Sequence, residues 1–194
     1  MRIPLYLEVA QWALLFGLGL LVVVLYRQLG LLLRKSHHAA DLGPPVGSPA
    51  GSFRYERVPD GTRLQLRPGD GRPTLIAFVD PTCPACEQLV ASLSTMQASG
   101  ELAGIRVLLL ISDPPGYLSI SAAFQATSLE IGRPVSTAEI AGYRAAGTPL
   151  LVAVDGAGLV RAAGVARQVD EVRAFVGAIR TSSELAPARE SEVV

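Results

Sequence analysis

The sequence predicts a three-layer α/β sandwich with a mixed central sheet, preceded by one N-terminal membrane-spanning helix, and three observations carry that prediction. Apolar runs of strand length alternate with segments whose apolar residues recur at i, i+3, i+4 and i+7. Two hairpin signals bracket this alternation, one near each end. An uncharged apolar stretch from Val9 to Tyr26 stands apart from the rest.

That stretch is apolar apart from Gln11. At ~1.5 Å per residue it spans about 27 Å, close to a bilayer core of roughly 30 Å. Tyr6, Trp12 and Tyr26 lie towards its ends, where aromatic side chains favour the membrane interface. A cleaved signal peptide is the main alternative and a buried core helix a third reading. The run is longer than a signal-peptide core of about 7–15 residues, and no A-x-A site follows it, so an uncleaved anchor over 9–26 is expected, with 1–8 as its flank. The flanking positive charges are Arg2 on one side and Arg27, Arg34 and Lys35 on the other. By the positive-inside rule alone, the domain that follows would stay in the cytoplasm.

Residues 27–51 read as a juxtamembrane segment and linker, because prolines and glycines recur too closely over 43–51 for a regular helix. The folded domain is expected over 52–181. Phe53–Val58 and Thr62–Leu66 flank Pro59-Asp60-Gly61, whose Asp-Gly pair signals a hairpin. Thr74–Val79 is a nearly continuous apolar run, as in a strand buried on both faces. Cys86, Leu89, Val90 and Leu93 mark one face of a helix. Ile105–Ile111 reads as another buried strand and Tyr117–Ala126 as a helix. Ser136 and Glu139 have capping-box spacing and open a short helix to about Tyr143. Leu150–Asp155 and Leu159–Ala163 form a second hairpin around Asp155-Gly156-Ala157-Gly158. Val172, Phe175, Val176 and Ile179 then mark the buried face of a last helix, and the polar stretch 182–194 is expected to be a disordered tail.

The 194 residues carry 17 Lys+Arg against 17 Asp+Glu, so the net charge is zero. This balance gives no electrostatic reason to expect nucleic acid as a partner. Two cysteines three positions apart supply neither a disulfide framework nor a four-thiolate metal site.

The chemistry is concentrated in Cys83-Pro84-Ala85-Cys86, which follows a buried strand and begins an amphipathic helix. A thiol at a helix N-terminus faces unpaired N–H groups and the positive end of the helix dipole, and both favour the attacking thiolate. Cys83, the more N-terminal, is assigned as nucleophile. Cys86, one turn further in, can reach back and resolve a mixed disulfide. Pro84 suits the first helical turn, where no intrahelical bond needs its missing N–H. Thr82 is the candidate N-cap, and Asp80 a candidate support at the helix entrance. Other uses of the pair fit less well. A zinc site needs two more ligands, and the only histidines are the juxtamembrane His37 and His38. Haem attachment wants His where Glu87 stands. A structural disulfide over a two-residue loop closes little chain entropy. No metal and no bound cofactor are expected beyond the redox-active Cys83–Cys86 couple.

Gly147-Thr148-Pro149 immediately precedes the strand from Leu150. A proline there cannot donate to a ladder, and a cis bond would suit a special turn.

Strand, Cys-x-x-Cys, helix, then Thr-Pro before a hairpin and terminal helix together resemble the thioredoxin superfamily. Val46-Gly-Ser-Pro-Ala and Gly61 are similar to its membrane-tethered TlpA/ResA-like branch. Tyr26-Arg27-Gln28-Leu29-Gly30 and Asp80-Pro81-Thr82-Cys83-Pro84-Ala85-Cys86 resemble the MauD-type proteins of methylamine utilisation. The resemblance covers about Leu20 to Arg180. It implies an extracytoplasmic thiol–disulfide oxidoreductase tethered by one helix to the cytoplasmic membrane, against the flanking-charge count. Its partners would be thiols or disulfides of exported proteins and a membrane or extracytoplasmic redox partner, and MauD types serve maturation of methylamine dehydrogenase. Cys83 would attack, Cys86 resolve, Pro149 be the cis-proline of the substrate groove, and Thr148 offer backbone hydrogen bonds to an extended peptide.

The chain departs from that family in two places. Thioredoxins often carry a buried acid six residues before the first cysteine, where Ala77 stands here, leaving Glu87 or a water to take the proton from Cys86. Thr82 replaces a frequent tryptophan. Two other functions remain on the same fold. A thiol peroxidase would want Thr-x-x-Cys around Cys83, and a metal-delivery module would want wider cysteine spacing and a histidine within the domain. Neither pattern is present.

Overall fold

The computed structural model describes residues 12, 14–23, 42–111, 124 and 126–185. Residues 14–23 are helical, with Leu14, Phe16, Leu20 and Val23 exposed. The anchor expected over 9–26 lies partly outside the described residues, and no helix among those described is long and apolar enough to cross a membrane. The chain from Leu42 onward is a separate compact unit.

That unit is built from β1 (Phe53–Val58), β2 (Arg63–Leu66), β3 (Thr74–Val79), α1 (Pro84–Ala98), β4 (Arg106–Ile111) and β5 (Glu130–Pro134). There follow α2 (Thr137–Ile140), a 3-10 turn (Ala141–Tyr143), β6 (Leu150–Val154), β7 (Val160–Gly164) and α3 (Val169–Leu185). The helix expected over 117–126 lies almost entirely outside the described residues, although Phe124 and Ala126 are helical. The strands form one sheet in the order β2-β1-β5-β4-β3-β6-β7. β3 and β5 run parallel to β4, and the other neighbouring pairs are antiparallel. The expected mixed sheet is present.

Successive side chains of a strand point to opposite faces, so a strand buried on both sides feeds two cores. Leu75, Ala77 and Val79 of β3 and Leu109 of β4 join Leu89, Val90 and Leu93 of α1 and Val172, Val176 and Ile179 of α3 in one core. Ile76 and Phe78 face the other way, into a second core with Leu108, Leu150, Val152, Phe53 and Tyr143. Every residue of β3 and β6 is buried. The i, i+3, i+4, i+7 rows of α1 and α3 supply the helical layer, as their spacing predicts.

Strand β5 had no sequence signal. It is short and contains Gly132 and Pro134, residues that usually interrupt strands. Here both have a physical reason. A Cβ at Gly132 would overlap the Tyr55 ring of β1, which lies across it while its hydroxyl donates to Glu130 at 2.8 Å. Pro134 falls beyond the last β5 residue paired with β4, so its missing N–H breaks no bond of that ladder.

Residues 43–51 are not merely a spacer. Gly47 N–H donates to Val160 O at 2.7 Å, Val160 N–H to Ser48 O at 2.9 Å and Ala50 N–H to Gly158 O at 2.8 Å, while Pro49 bridges Leu159. Leu42 and Ala50 pack against the second core. The segment belongs to the folded unit because it supplies partners to the β6–β7 hairpin. At the other end α3 continues to Leu185, so residues 182–185, read as the start of the tail, are helical; the rest of that stretch lies outside the described residues.

The capping box is half formed. The Ser136 side chain accepts from Ala138 N–H at 3.2 Å, but Glu139 turns to Arg54, accepting from both its backbone N–H and its guanidinium. A long-range ion pair within the chain has replaced the reciprocal local bond.

The β6–β7 turn is held by Asp155, which is 4% exposed. Its carboxylate accepts from Ala157 N–H at 3.0 Å, Leu159 N–H at 2.9 Å and Arg161 Nε at 2.6 Å. Asp155→Ala is expected to destabilise the fold by about 2–4 kcal/mol, since three donors lose a charged acceptor in a buried turn. Denaturant unfolding of the two proteins measures this directly.

Candidate active site

The β3–β6 register sets the geometry. Phe78 and Leu150 are antiparallel partners, so the chain leaving β3 at Asp80 and the chain entering β6 from Thr148 lie at the same end of the sheet. Two sequence motifs 65 residues apart therefore meet: Cys83 Sγ lies 4.0 Å from the Thr148 carbonyl oxygen. The Thr148–Pro149 peptide bond is cis, as expected, and Pro149 is buried while Thr148 is exposed. Val58–Pro59, in the β1–β2 turn, is a second cis bond that the sequence did not signal.

Cys83 is the N-cap residue of α1, extended in backbone conformation, with Pro84 at the first helical position. Thr82 is thus not the cap, and no side chain caps this helix. Thr82 instead serves the turn before it: its N–H and hydroxyl donate to Asp80 Oδ1 at 2.8 and 2.7 Å. The Asp80 carbonyl accepts from Cys83 N–H at 3.0 Å, and Asp80 N–H donates to Cys86 Sγ at 3.4 Å. Asp80 thereby contacts both cysteines through its main chain. The spacing Asp-Pro-Thr carries the signal for this turn, since an aspartate commonly accepts from the backbone two residues on.

The two thiols are free and differently placed: Cys83 is half-buried and Cys86 fully buried. Burial pushes the Cys83 thiol up. Hydrogen bonding from the Cys86 side chain, from the N–H groups of Cys86 and Ala85 and from the Thr148 side chain outweighs it, leaving Cys83 below the ordinary thiol value. Burial dominates at Cys86 and, despite the opposing Asp80 N–H, pushes it up to about 11. The nearer-surface sulfur is therefore the readier thiolate, and the inner one holds its proton. Ala77, at the place where an acid could assist, is fully buried and packs in the α1 core. Among the described residues no group of three or more His, Cys, Asp or Glu side chains is arranged to hold a metal ion.

Comparison with known proteins bears on the family and the fold. The chain is 31% identical over 183 residues to the methylamine utilization protein MauD of Paracoccus versutus, covering 90% of this chain and 88% of that one. The chain belongs to the MauD family. The fold is thioredoxin-like: among solved structures it is similar to the thioredoxin domain of a thiol-disulfide oxidoreductase from Bacteroides vulgatus, with a TM-score of 0.57, 18% identity, and 68% of this chain and 98% of that one covered. It is likewise similar to a thiol:disulfide interchange protein of the thioredoxin family from Chlorobium tepidum, with a TM-score of 0.57, 17% identity, and 70% and 97% covered. No family model matches the chain.

The asymmetry of the thiols has a measurable consequence. In the reduced protein at pH 8, burial keeps Cys86 almost entirely protonated. Iodoacetamide is expected to modify Cys83 almost exclusively, with a pH midpoint below that of free cysteine. Mass mapping of the labelled peptides across pH 5–10 checks this, and equal labelling of both would contradict the geometry.

Proposed function

We propose that the chain is a thiol–disulfide oxidoreductase acting on protein substrates, with Cys83 as nucleophile and Cys86 as resolving thiol. The observation that carries the reading is the pairing of a lowered thiol at the start of α1 with the Thr148–Pro149 turn beside it. Cys83 thiolate attacks one sulfur of a partner disulfide, forming a mixed disulfide and releasing the other sulfur as thiolate. Cys86 gives up its proton and attacks Cys83 Sγ, releasing the second partner sulfur. The partner is reduced by two electrons and Cys83–Cys86 becomes the disulfide; the reverse sequence oxidises a partner. No cofactor is required beyond this couple.

Pro149 and the exposed Thr148 backbone form the floor and edge on which an extended peptide would lie. Pro84 supports the site by opening α1 without wasting a hydrogen bond. We further propose that residues 9–26 anchor the chain in the cytoplasmic membrane, with the domain on the extracytoplasmic side, where disulfides persist. The MauD relatives are named for methylamine utilization, and that supports maturation of an exported dehydrogenase or cytochrome as the process served.

Full-length protein in detergent micelles should reduce insulin with dithiothreitol as electron source. Cys83→Ser is expected to abolish the reaction, and retained turnover would refute the assignment. Cys86→Ser should instead accumulate covalent adducts with partner proteins, visible on non-reducing gels and released by reductant.

Orientation has its own test. In intact cells of a Gram-negative host with a permeabilised outer membrane, a membrane-impermeant maleimide should label Cys83. Labelling only after lysis of the inner membrane would place the domain inside.

A further inference from the structure

In the proposed mechanism Cys86 must lose its proton in a fully buried position, where the Asp80 N–H and, to a smaller extent, the Thr148 side chain oppose the effect of burial. In the α1 core it packs among Ala77, Val79, Leu89 and Val90. The strongest opposition to its burial is a main-chain group, the N–H of Asp80 at 3.4 Å from Sγ. That N–H lies just past the last residue of β3, where the chain turns towards α1. What holds it on target is the Asp80 side chain, whose Oδ1 accepts from both the N–H and the hydroxyl of Thr82, while its carbonyl accepts from Cys83 N–H. Three hydrogen bonds close a tight loop around residues 80–83, and the Asp80 N–H of that loop points inward at the resolving sulfur.

We infer that Asp80 is a positioning residue for the resolving step: its side chain locks the 80–83 turn so that its own N–H stabilises the Cys86 thiolate as it forms. This deepens the thiol-exchange reading and rests on it for its role in catalysis. The carboxylate acts as an acceptor for Thr82, so its function needs an oxygen at Oδ1 and not a negative charge. Asparagine supplies that oxygen; alanine does not.

The test uses 5,5′-dithiobis(2-nitrobenzoate) as the disulfide, with reduced full-length protein in detergent at pH 8 in a stopped-flow instrument. Cys83 thiolate attacks the reagent and releases one thionitrobenzoate. Cys86 then loses a proton to solvent and attacks Cys83 Sγ, releasing the second. The first absorbance phase therefore reads Cys83 and the second reads Cys86. Asp80→Ala is expected to slow the second phase by roughly three- to tenfold, the effect of losing one hydrogen bond to the developing thiolate, with the first phase within about twofold of the parent. Asp80→Asn should restore the second phase.

An unchanged second phase in Asp80→Ala overturns the inference, as does equal slowing of both phases, which would mark a general structural defect. If Asp80→Asn is as slow as Asp80→Ala, charge and not positioning is responsible, and the inference again fails. Should Asp80→Ala not fold, Thr82→Ala decides, because it removes one of the two bonds to Oδ1. It is expected to slow the second phase by a smaller factor with the first phase unchanged, and an unchanged second phase then overturns the inference. The reagent needs no protein substrate, so an inert insulin assay would count against the proposed function while leaving this result readable.

Discussion

The pairing of β3 with β6 is the constraint on which the site depends. β3 is buried on both faces, and its antiparallel register with β6 runs from Thr74 opposite Val154 to Phe78 opposite Leu150. A slip of one residue would turn Ile76 and Phe78 out of one core and into the other, so both cores hold the register. With the register fixed, the end of β3 and the beginning of β6 must lie together. The cysteine pair and the Thr148–Pro149 turn then meet without any contact between them having to be strong. The 4.0 Å approach of Cys83 Sγ to the Thr148 carbonyl follows from packing elsewhere.

Placement on α1 then separates the two thiols. Cys83 is the N-cap and Cys86 lies in the first turn, so the helix presents Cys83 at its outer lip and turns Cys86 into the core with Leu89, Val90 and Leu93. At the first, burial is outweighed by hydrogen bonds from the Cys86 side chain and then from helix N–H groups; at the second, loss of water dominates and raises it. Under the proposed function, the sulfur that ionises readily would attack, and the sulfur that keeps its proton would act only once a mixed disulfide lay within reach. The division of labour follows from one residue being near water and the other not.

Much of this was legible in the sequence because the relevant signals are local. Thr74–Val79 announces a two-sided strand, Cys86, Leu89, Val90 and Leu93 announce a helix face, and Cys-Pro-Ala-Cys lies at their junction. What escaped is held by long-range contacts. β5 could not be read because Gly132 is required by the ring of Tyr55, a residue 77 positions earlier, and not by anything in its own segment. The linker over 43–51 looks like a spacer by composition but is ordered by the β6–β7 hairpin. Glu139 has capping spacing yet is drawn to Arg54 across the chain. Thr82 was misread for a subtler reason. Threonine before a helix suits either a cap or a turn, and the choice depends on whether an earlier acceptor exists. Asp80 is that acceptor.

The two sheet edges bear on which backbone a partner could reach. At the β7 edge, residues 47–50 already occupy N–H and carbonyl groups of the hairpin. At the β2 edge, Arg63, Gln65 and the following Arg67 are exposed, and charged or polar side chains on an edge discourage strand addition. The start of the β7 edge is thus already paired, and the β2 edge carries side chains that disfavour pairing. The turn before β6 is different, because Thr148 is exposed and its carbonyl faces the lowered thiol. A peptide hydrogen-bonded there would bring its own backbone next to Cys83, whereas pairing at either edge would leave a disulfide far from it. Under the proposed function, this exposed turn is the backbone at which an extended partner would meet Cys83.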